Sequence, residues 1–469
     1  MTVWHDRVVD AETRAGHGSI AEIVAGLARH PLPVRVEAYD GSVAGAADAG
    51  LTVRIARRAA LRRVLTRPGE LGLARAYVAG DLELDGRVYD AFLISPAPNR
   101  VLRALRTAAG LARRAGPSVL VPIAPPAIET APMGRLHSRG RDRRSVTYHY
   151  DVSNAFYELV LGPSMVYSCA VFASPDDTLE AAQIRKVDLV CRKLALEPGM
   201  RVLDVGCGWG TLAIHAAHTY GCRVVGVTLS VRQRELAEAR AREAGVDGLV
   251  EFRVQDYRDV DDGPYDAVCS IGMAEHVGRR ALDAYARQLF ALVRPGGRVL
   301  HHAIGRPGVL EGAATIGPKA RRHARDPARS RSPFISRYVF PDGELHEVGA
   351  TVSRLQAHGF EVRHLESLRE HYALTLRRWV ANLEANLDAA EAEVGPERAR
   401  VWRLYMAGSA VGFERHRLEV HQALCARPDA GRSRFPLRPQ FEASGDAGWQ
   451  ASAARRAGSD GQPVRSPRT

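Results

Sequence analysis

The sequence predicts an α/β protein with a mainly parallel, doubly wound sheet, preceded by a small α+β unit. Three observations predict it: strand and helix patterns alternate from residue 200 onward, the strand runs are near-continuous in apolar residues, and a glycine-rich turn closes the first of those strands. With 469 residues, 46% hydrophobic and 25% charged, the chain can build two or three domains with their own cores. Collagen-like, disulfide-scaffold and wholly disordered chains are excluded.

In the N-terminal unit, residues 33–39 (PVRVEAY) read as a strand, Asp40-Gly41 as a turn and 51–55 (LTVRI) as a second strand. Helical patterns follow near 58–66 and 70–79, with Pro68 and Gly69 between them. The unit is expected to end at 102. Residues 103–145 combine Arg, Gly and Pro with one short helix at most, which suits a linker. In the α/β body, strands are expected at 200–206, 223–229, 250–256, 265–272 and 297–304, with helices at 210–220, 232–245 and 279–293. After 345 the pattern is mostly helical, near 346–358, 372–391 and 394–426. From 430 the Arg, Ser, Pro and Gly content suggests a disordered tail. The expected domains are therefore 1–102, 103–145, 146–429 and 430–469.

The net charge is +12, and its excess sits in three segments. Residues 103–144 carry nine Arg against Glu129 and Asp142, residues 319–331 carry Lys319 and five Arg against Asp326, and residues 432–469 carry seven Arg against three acids. The body is mildly acidic. Only Lys186, Lys193 and Lys319 are lysines, so Arg-richness reflects coding bias as readily as phosphate recognition. The six Cys show no CxxC pair or compact spacing, which argues against a zinc site or a disulfide framework. The N-terminus lacks a basic region followed by an apolar run, and no apolar stretch reaches transmembrane length, so membrane contact is expected to be peripheral.

Asp204-Val-Gly-Cys-Gly-Trp-Gly210 ends the first strand of the body and opens a helix. Gly206, Gly208 and Gly210 allow a tight turn and close ligand approach, and the helix start supplies free N–H groups. The acid before the first glycine, with no need for a pyrophosphate cradle, favours S-adenosylmethionine over a dinucleotide. Asp204 either hydrogen-bonds an amino-acid group or orients the loop. The second strand ends in Thr228, with Gln233 soon after, so a hydroxyl and an amide stand where many such enzymes place an acid for the ribose. The third ends Gln255-Asp256-Tyr257, where Asp256 holds an adenine or caps a turn.

Residues 148–172 contain six Phe or Tyr, a packed core or a pocket that steadies a developing cation. Glu275 follows the fourth strand at the ligand-binding edge, and His302 lies on or just beyond the fifth.

Taken together, HYDVSNAFYELVLGPSMVYSCAVF, VLDVGCGWG, GVTLSVRQ, GMAEHVG, LHHAIG, RYVFPDGEL and HYALTLRRW resemble, in order and spacing, the cyclopropane-fatty-acyl-phospholipid synthase family over residues 146–425. The N-terminal unit resembles, more loosely, the extra domain of its phospholipid-acting members. The resemblance implies a Rossmann-like class I methyltransferase fold and transfer of a one-carbon unit from S-adenosylmethionine to the cis double bond of an unsaturated phospholipid acyl chain. It also implies a bicarbonate ion as base, at positions matching Cys169, Glu275, His302, Ile304 and Tyr372, with N–H groups offered by Cys169 and Ile304. Tyr167, Ser168, Gly206, Thr228 and Gln233 match cofactor-binding positions. A cyclopropane product is expected; the same first step gives a methylene-branched chain if a different proton leaves. The expected setting is cytoplasmic, on the inner membrane face, with homodimer formation open. The connection from His302 to Phe334 is longer than the family pattern, and its basic stretch 319–331 is either a disordered insertion or a headgroup contact. A nucleic-acid methyltransferase would carry an Asn/Asp-Pro-Pro-aromatic motif after the fourth strand or a Pro-Cys nucleophile; GMAEHVG has neither, so no nucleic-acid partner is expected. The intact glycine loop argues against a non-catalytic lipid carrier.

Overall fold

A computed structural model describes residues 18–26, 28–29, 34–93, 95–96, 100–130, 137–142, 153–308 and 332–441. The basic stretch 319–331 and the chain from 442 lie outside the described residues.

Helix α1 (Ile20–Ala25) opens with a reciprocal capping box between Ser19 and Glu22. Strand β1 (Val34–Ala38) lies between antiparallel β2 (Val43–Ala44) and parallel β3 (Leu51–Ile55), and β4 (Leu82–Gly86) adds an antiparallel edge. Between β3 and β4 run α2 (Arg58–Thr66) and α3 (Glu70–Val78), close to their expected bounds. The segment expected to be a linker differs. Residues Arg100–Ala115 form a 16-residue helix, α4, and a 3₁₀ turn follows over Pro117–Leu120. Leu111 and Val119 are buried with Ile20, Ile23 and Leu61, so this stretch belongs to the N-terminal core. Arg106, Arg113 and Arg114 are exposed on this helix, and composition alone reads such a stretch as linker.

Helices α5 (Asn154–Leu161) and α6 (Leu179–Leu194) lead into the α/β body. Strands β5 (Arg201–Val205), β6 (Arg223–Thr228), β7 (Val250–Val254), β8 (Tyr265–Ile271) and β9 (Val293–Gly305) are parallel. They are joined through α7 (Thr211–Tyr220), α8 (Val231–Glu243) and α9 (Leu282–Leu292). Alternate residues of β5 face opposite layers: Val202 packs with Ala213 and Ala217 of α7, and Leu203 with Leu289 of α9.

The chain then forms α10 (Pro333–Tyr338), α11 (Val348–Ala357), β10 (Glu361–Ser367), α12 (Arg369–Ala385), α13 (Leu387–Val394), α14 (Pro396–Glu414) and β11 (Glu419–Ala426). β11 corrects the helical expectation over 394–426, whose last residues are a strand, and β10 lies in a stretch between the expected helices. β11 inserts antiparallel between β9 and β10, giving the order β10-β11-β9-β8-β5-β6-β7. Residues 430–441, expected in a disordered tail, also pack: the Arg298 guanidinium lies 4.0 Å from the Phe435 ring centroid. The N-terminal unit sits on the body through α3, whose Leu71, Ala74 and Val78 join the cluster of Phe156 and Trp402. Arg403 donates to the Tyr77 hydroxyl and the Leu84 carbonyl, both at 3.1 Å. Among the described residues no helix is long and apolar enough to cross a membrane.

Candidate active site

Strand order reverses beside β5: the chain proceeds outward through β6 and β7 on one side and through β8 and β9 on the other. A crevice at the carboxyl ends of strands flanking such a switch is the usual ligand position in this architecture. A cavity opens there, walled by Tyr167, Ser168, Asp204, Gly206, Gly208, Thr228, Gln233, Gln255 and Asp256. Nine of the ten expected cofactor positions are thus brought together. The loop is fastened to β6 by N–H groups of Gly206 and Cys207 donating to the Val227 carbonyl at 2.9 and 3.1 Å. Gly206 and Gly208 have φ of +84° and +54°, and a methyl built on Gly208 would meet no protein atom within 4 Å, so the loop leaves room for a close ligand. Gly210 is the exception. It does not wall the cavity; a methyl there would stand 2.7 Å from the Phe252 ring and 2.9 Å from Ala237, so this glycine serves helix–strand packing.

Thr228 and Gln233 hold each other, hydroxyl to amide oxygen at 2.7 Å, which fixes both at the cavity wall. Asp256 accepts from the backbone N–H and the guanidinium of Arg258, so its carboxylate caps the turn at 257–259 while it lines the cavity. Burial raises Asp204 to about 6, against the lowering effects of the Cys269 thiol and the Lys186 charge. Lys186, Arg258 and His276 also wall the cavity, and motif reading passed over all three.

The second group of expected residues is not among those that wall this cavity. Glu275 sits in a 3₁₀ turn after β8 and is 9% exposed. One carboxylate oxygen accepts the Ile304 N–H at 2.7 Å; the other, Oε2, is buried without a hydrogen-bond partner. Burial pushes this carboxyl up to about 7, with the Ile304 N–H working the other way. His302, two residues before Ile304 on β9, is 1% exposed, and its Nδ1 also lacks a partner. Burial, with the Lys186 charge second, holds its imidazole far below the usual range, hence neutral. Cys169 is fully buried, with its thiol 3.2 Å from the Ala170 carbonyl and 3.6 Å from that of Leu368; burial raises the thiol and leaves it inert. Leu368 in turn donates its N–H to Val420, the register partner of Ile304. Cys169, Tyr372 and Ile304 all belong to one apolar cluster, and Ile304 ties Glu275 to it.

That cluster is an aromatic box. Tyr167 lies 5.3 Å from Trp379 and 5.7 Å from Trp402 between ring centroids, and its hydroxyl is 3.4 Å from that of Tyr405. Tyr372 packs on Phe413 at 4.8 Å. Trp379, Trp402 and Tyr405 come from α12 and α14, and sequence reading missed their part in the box. The spacing of Trp402 and Tyr405 puts both on one helix face, but only the tertiary fold aims that face at Tyr167. The Ile304 N–H differs from expectation: it is engaged by Glu275. Ring faces and apolar walls that offer few lone pairs can steady a cation and keep water from it.

Comparison with known proteins agrees with this geometry. The family model described as mycolic acid cyclopropane synthetase matches residues 137–423. A probable fatty acid methyltransferase of Mycobacterium tuberculosis is 42% identical over 450 residues, covering 92% of this chain and 99% of that protein. A tuberculostearic acid methyltransferase of the same organism is 36% identical over 402 residues, covering 83% and 87% respectively. Among solved structures, mycolic acid cyclopropane synthase CmaA1 in complex with SAH and CTAB is 35% identical at a TM-score of 0.55, covering 60% of this chain and 97% of that one.

Proposed function

The chain belongs to the mycolic acid cyclopropane synthetase family, and from that premise we propose that it alkylates the cis double bond of an unsaturated phospholipid acyl chain in an S-adenosylmethionine-dependent reaction. The observation that carries this reading is the aromatic box next to a buried, half-satisfied carboxylate, joined through Ile304. Bound S-adenosylmethionine supplies an electrophilic methyl group. Attack by the alkene π electrons on that methyl would form the new carbon–carbon bond, release S-adenosylhomocysteine as the leaving group and leave a cation on the acyl chain. Tyr167, Trp379, Trp402 and Tyr405 surround that cation with ring faces and exclude water. Transfer of a proton from the added methyl group to a base would then close a cyclopropane, the C–H electron pair forming the third ring bond.

Bicarbonate, the base the resemblance implies, fits the residues on one condition. Two anions sharing a buried site repel, so one of them must share a proton with the other. Glu275 Oε2, buried without a partner, would accept the ion's O–H, and neutral His302 would offer an uncharged ring nitrogen. Glu275 itself, rather than the ion, holds the Ile304 N–H.

A second product is favoured by a specific observation. The fatty acid and tuberculostearic acid methyltransferases align over both the N-terminal unit and the body, whereas cyclopropane mycolic acid synthase 1 of M. tuberculosis covers 60% of this chain. A 1,2-hydride shift would then move the cation onto the carbon that bears the new methyl group, and transfer of a proton from that methyl to the base would give a methylene-branched chain. Incubation with labelled S-adenosylmethionine and oleoyl phospholipid vesicles, followed by NMR of the extracted lipid, separates the two: upfield ring protons mark the cyclopropane and vinylic protons the methylene. Failure to label any lipid would sink both readings.

The membrane surface is reached, in this proposal, through the N-terminal unit. Leu120 and Val121 are 51% and 52% exposed, and Arg62 donates to the Val121 and Pro122 carbonyls at 3.0 Å, which holds the apolar tip outward. Exposed Arg57 and Arg58 of the same helix region suit anionic headgroups. Replacing both tip residues with Asp is expected to reduce sedimentation with anionic vesicles several-fold while leaving SAH affinity unchanged; unaltered sedimentation would remove the tip from the contact.

A further inference from the structure

Helix α6 carries two of the three lysines of a chain that otherwise uses Arg, and both are buried, Lys193 at 1% and Lys186 at 3% exposure. They are satisfied differently. The Lys193 ammonium reaches the Glu366 carboxylate and the Gln422 amide oxygen. The Lys186 ammonium donates to Ser168 Oγ at 2.9 Å, its one hydrogen-bond partner among the described residues, although it has three protons to give. It makes no ion pair with any described carboxylate, and it walls the cofactor cavity.

A buried cation without a counter-ion is costly. Burial brings Lys186 down to about 8, which still leaves it protonated at neutral pH. Asp204 is equally buried at 3%, walls the same cavity and makes no ion pair either. The cavity therefore presents one buried cation and one buried anion that feel each other's charge but are not paired. The ligand group complementary to such a wall is a zwitterion, and an α-amino acid end carries one.

We propose that Lys186 is a positioning residue for the cofactor, its ammonium together with Ser168 Oγ receiving the α-carboxylate of the methionine end. This rests on the reading of the cavity as the S-adenosylmethionine site. Anchoring the carboxylate on a rigid helix sets where the sulfonium carbon stands relative to the aromatic box.

The test compares two ligands on the full-length protein by calorimetry: SAH and 5′-S-(3-aminopropyl)-5′-thioadenosine, which lacks only the carboxylate. Wild type is expected to bind SAH about 10- to 100-fold more tightly, the range of a charge-assisted hydrogen bond. In Lys186→Met the two affinities should converge to within about threefold, with the aminopropyl compound bound as in wild type. A second arm needs no variant: the wild-type ratio should shrink as pH rises above about 8 and the lysine loses its proton. The two ligand amines titrate at different pH values, the α-amine of SAH the lower, so the series is kept below the titration of both. A ratio near one in wild type at pH 7, or a full ratio in folded Lys186→Met, overturns the assignment. If wild type binds neither compound, the cofactor reading falls and the assignment with it.

Discussion

Glu275→Gln is expected to lower turnover by about 100- to 10,000-fold while SAH affinity stays within about twofold of wild type. The affinity is spared because Glu275 does not wall the cofactor cavity. The fold is spared because the glutamine amide oxygen can still accept the Ile304 N–H, and the Glu275 carbonyl still accepts from Glu344 at 2.9 Å. What changes is the buried oxygen Oε2, an acceptor in the carboxylate and an N–H donor in the amide. A proton acceptor at the reacting centre is lost, with nothing else displaced. The pH dependence gives an independent check. The Glu275 carboxyl is raised to about 7, so the acceptor form grows as pH rises through that value. Wild-type kcat should therefore climb with pH across roughly 6 to 8, and the variant should lack that limb. Carbon-dioxide-free buffer should depress wild-type turnover, with recovery on adding bicarbonate. A variant turning over at near wild-type rate would remove Glu275 from the centre.

The parts of this site differ in how far the sequence exposes them, for physical reasons. Strands β5, β6 and β8 are covered on both faces, so each is a near-continuous apolar run between turn residues. β11 is equally buried, but EVHQALCA follows a 19-residue helix and carries no turn signal that separates it from helical periodicity. Its place between β9 and β10 is a tertiary fact. β10 is an edge strand with no fully buried residue, and its polar composition hides it. Helix α4 was obscured by its arginines, since Leu111 is its one contribution to the deep N-terminal core among residues whose burial is described. At the site, glycine-loop and strand-end residues are legible because local backbone geometry demands them. The aromatic box is not, since Tyr167 meets Trp402 and Tyr405 across more than 230 positions. Lys186 had a signal of a different kind: it is one of three lysines in a chain that writes every other cation as Arg.

The glycines of the loop give the second large effect, and they should separate by mechanism. Gly208→Ala places a methyl at φ +54°, where an L-residue costs about 1–2 kcal/mol, but that methyl touches no protein atom within 4 Å. The fold tolerates it, and the methyl occupies space at the cavity wall, so SAH affinity is expected to fall at least roughly tenfold with a modest drop in Tm. Gly210→Ala has the opposite profile. Its φ of +80° carries the same backbone cost, and its methyl stands 2.7 Å from Phe252 and 2.9 Å from Ala237, contacts that must open for it to fit. Overpacking adds about 1–3 kcal/mol, for a total of about 2–5 kcal/mol, and lowers Tm by roughly 5–15 °C. Gly210 is outside the cavity wall, so the molecules that remain folded should bind SAH much as wild type does. Thermal melts paired with calorimetric titration of both variants decide it. If Gly210→Ala loses affinity at unchanged Tm, the glycine faces the ligand after all; if Gly208→Ala melts early and binds normally, the loop tip is structural and the cofactor lies elsewhere along the strand ends.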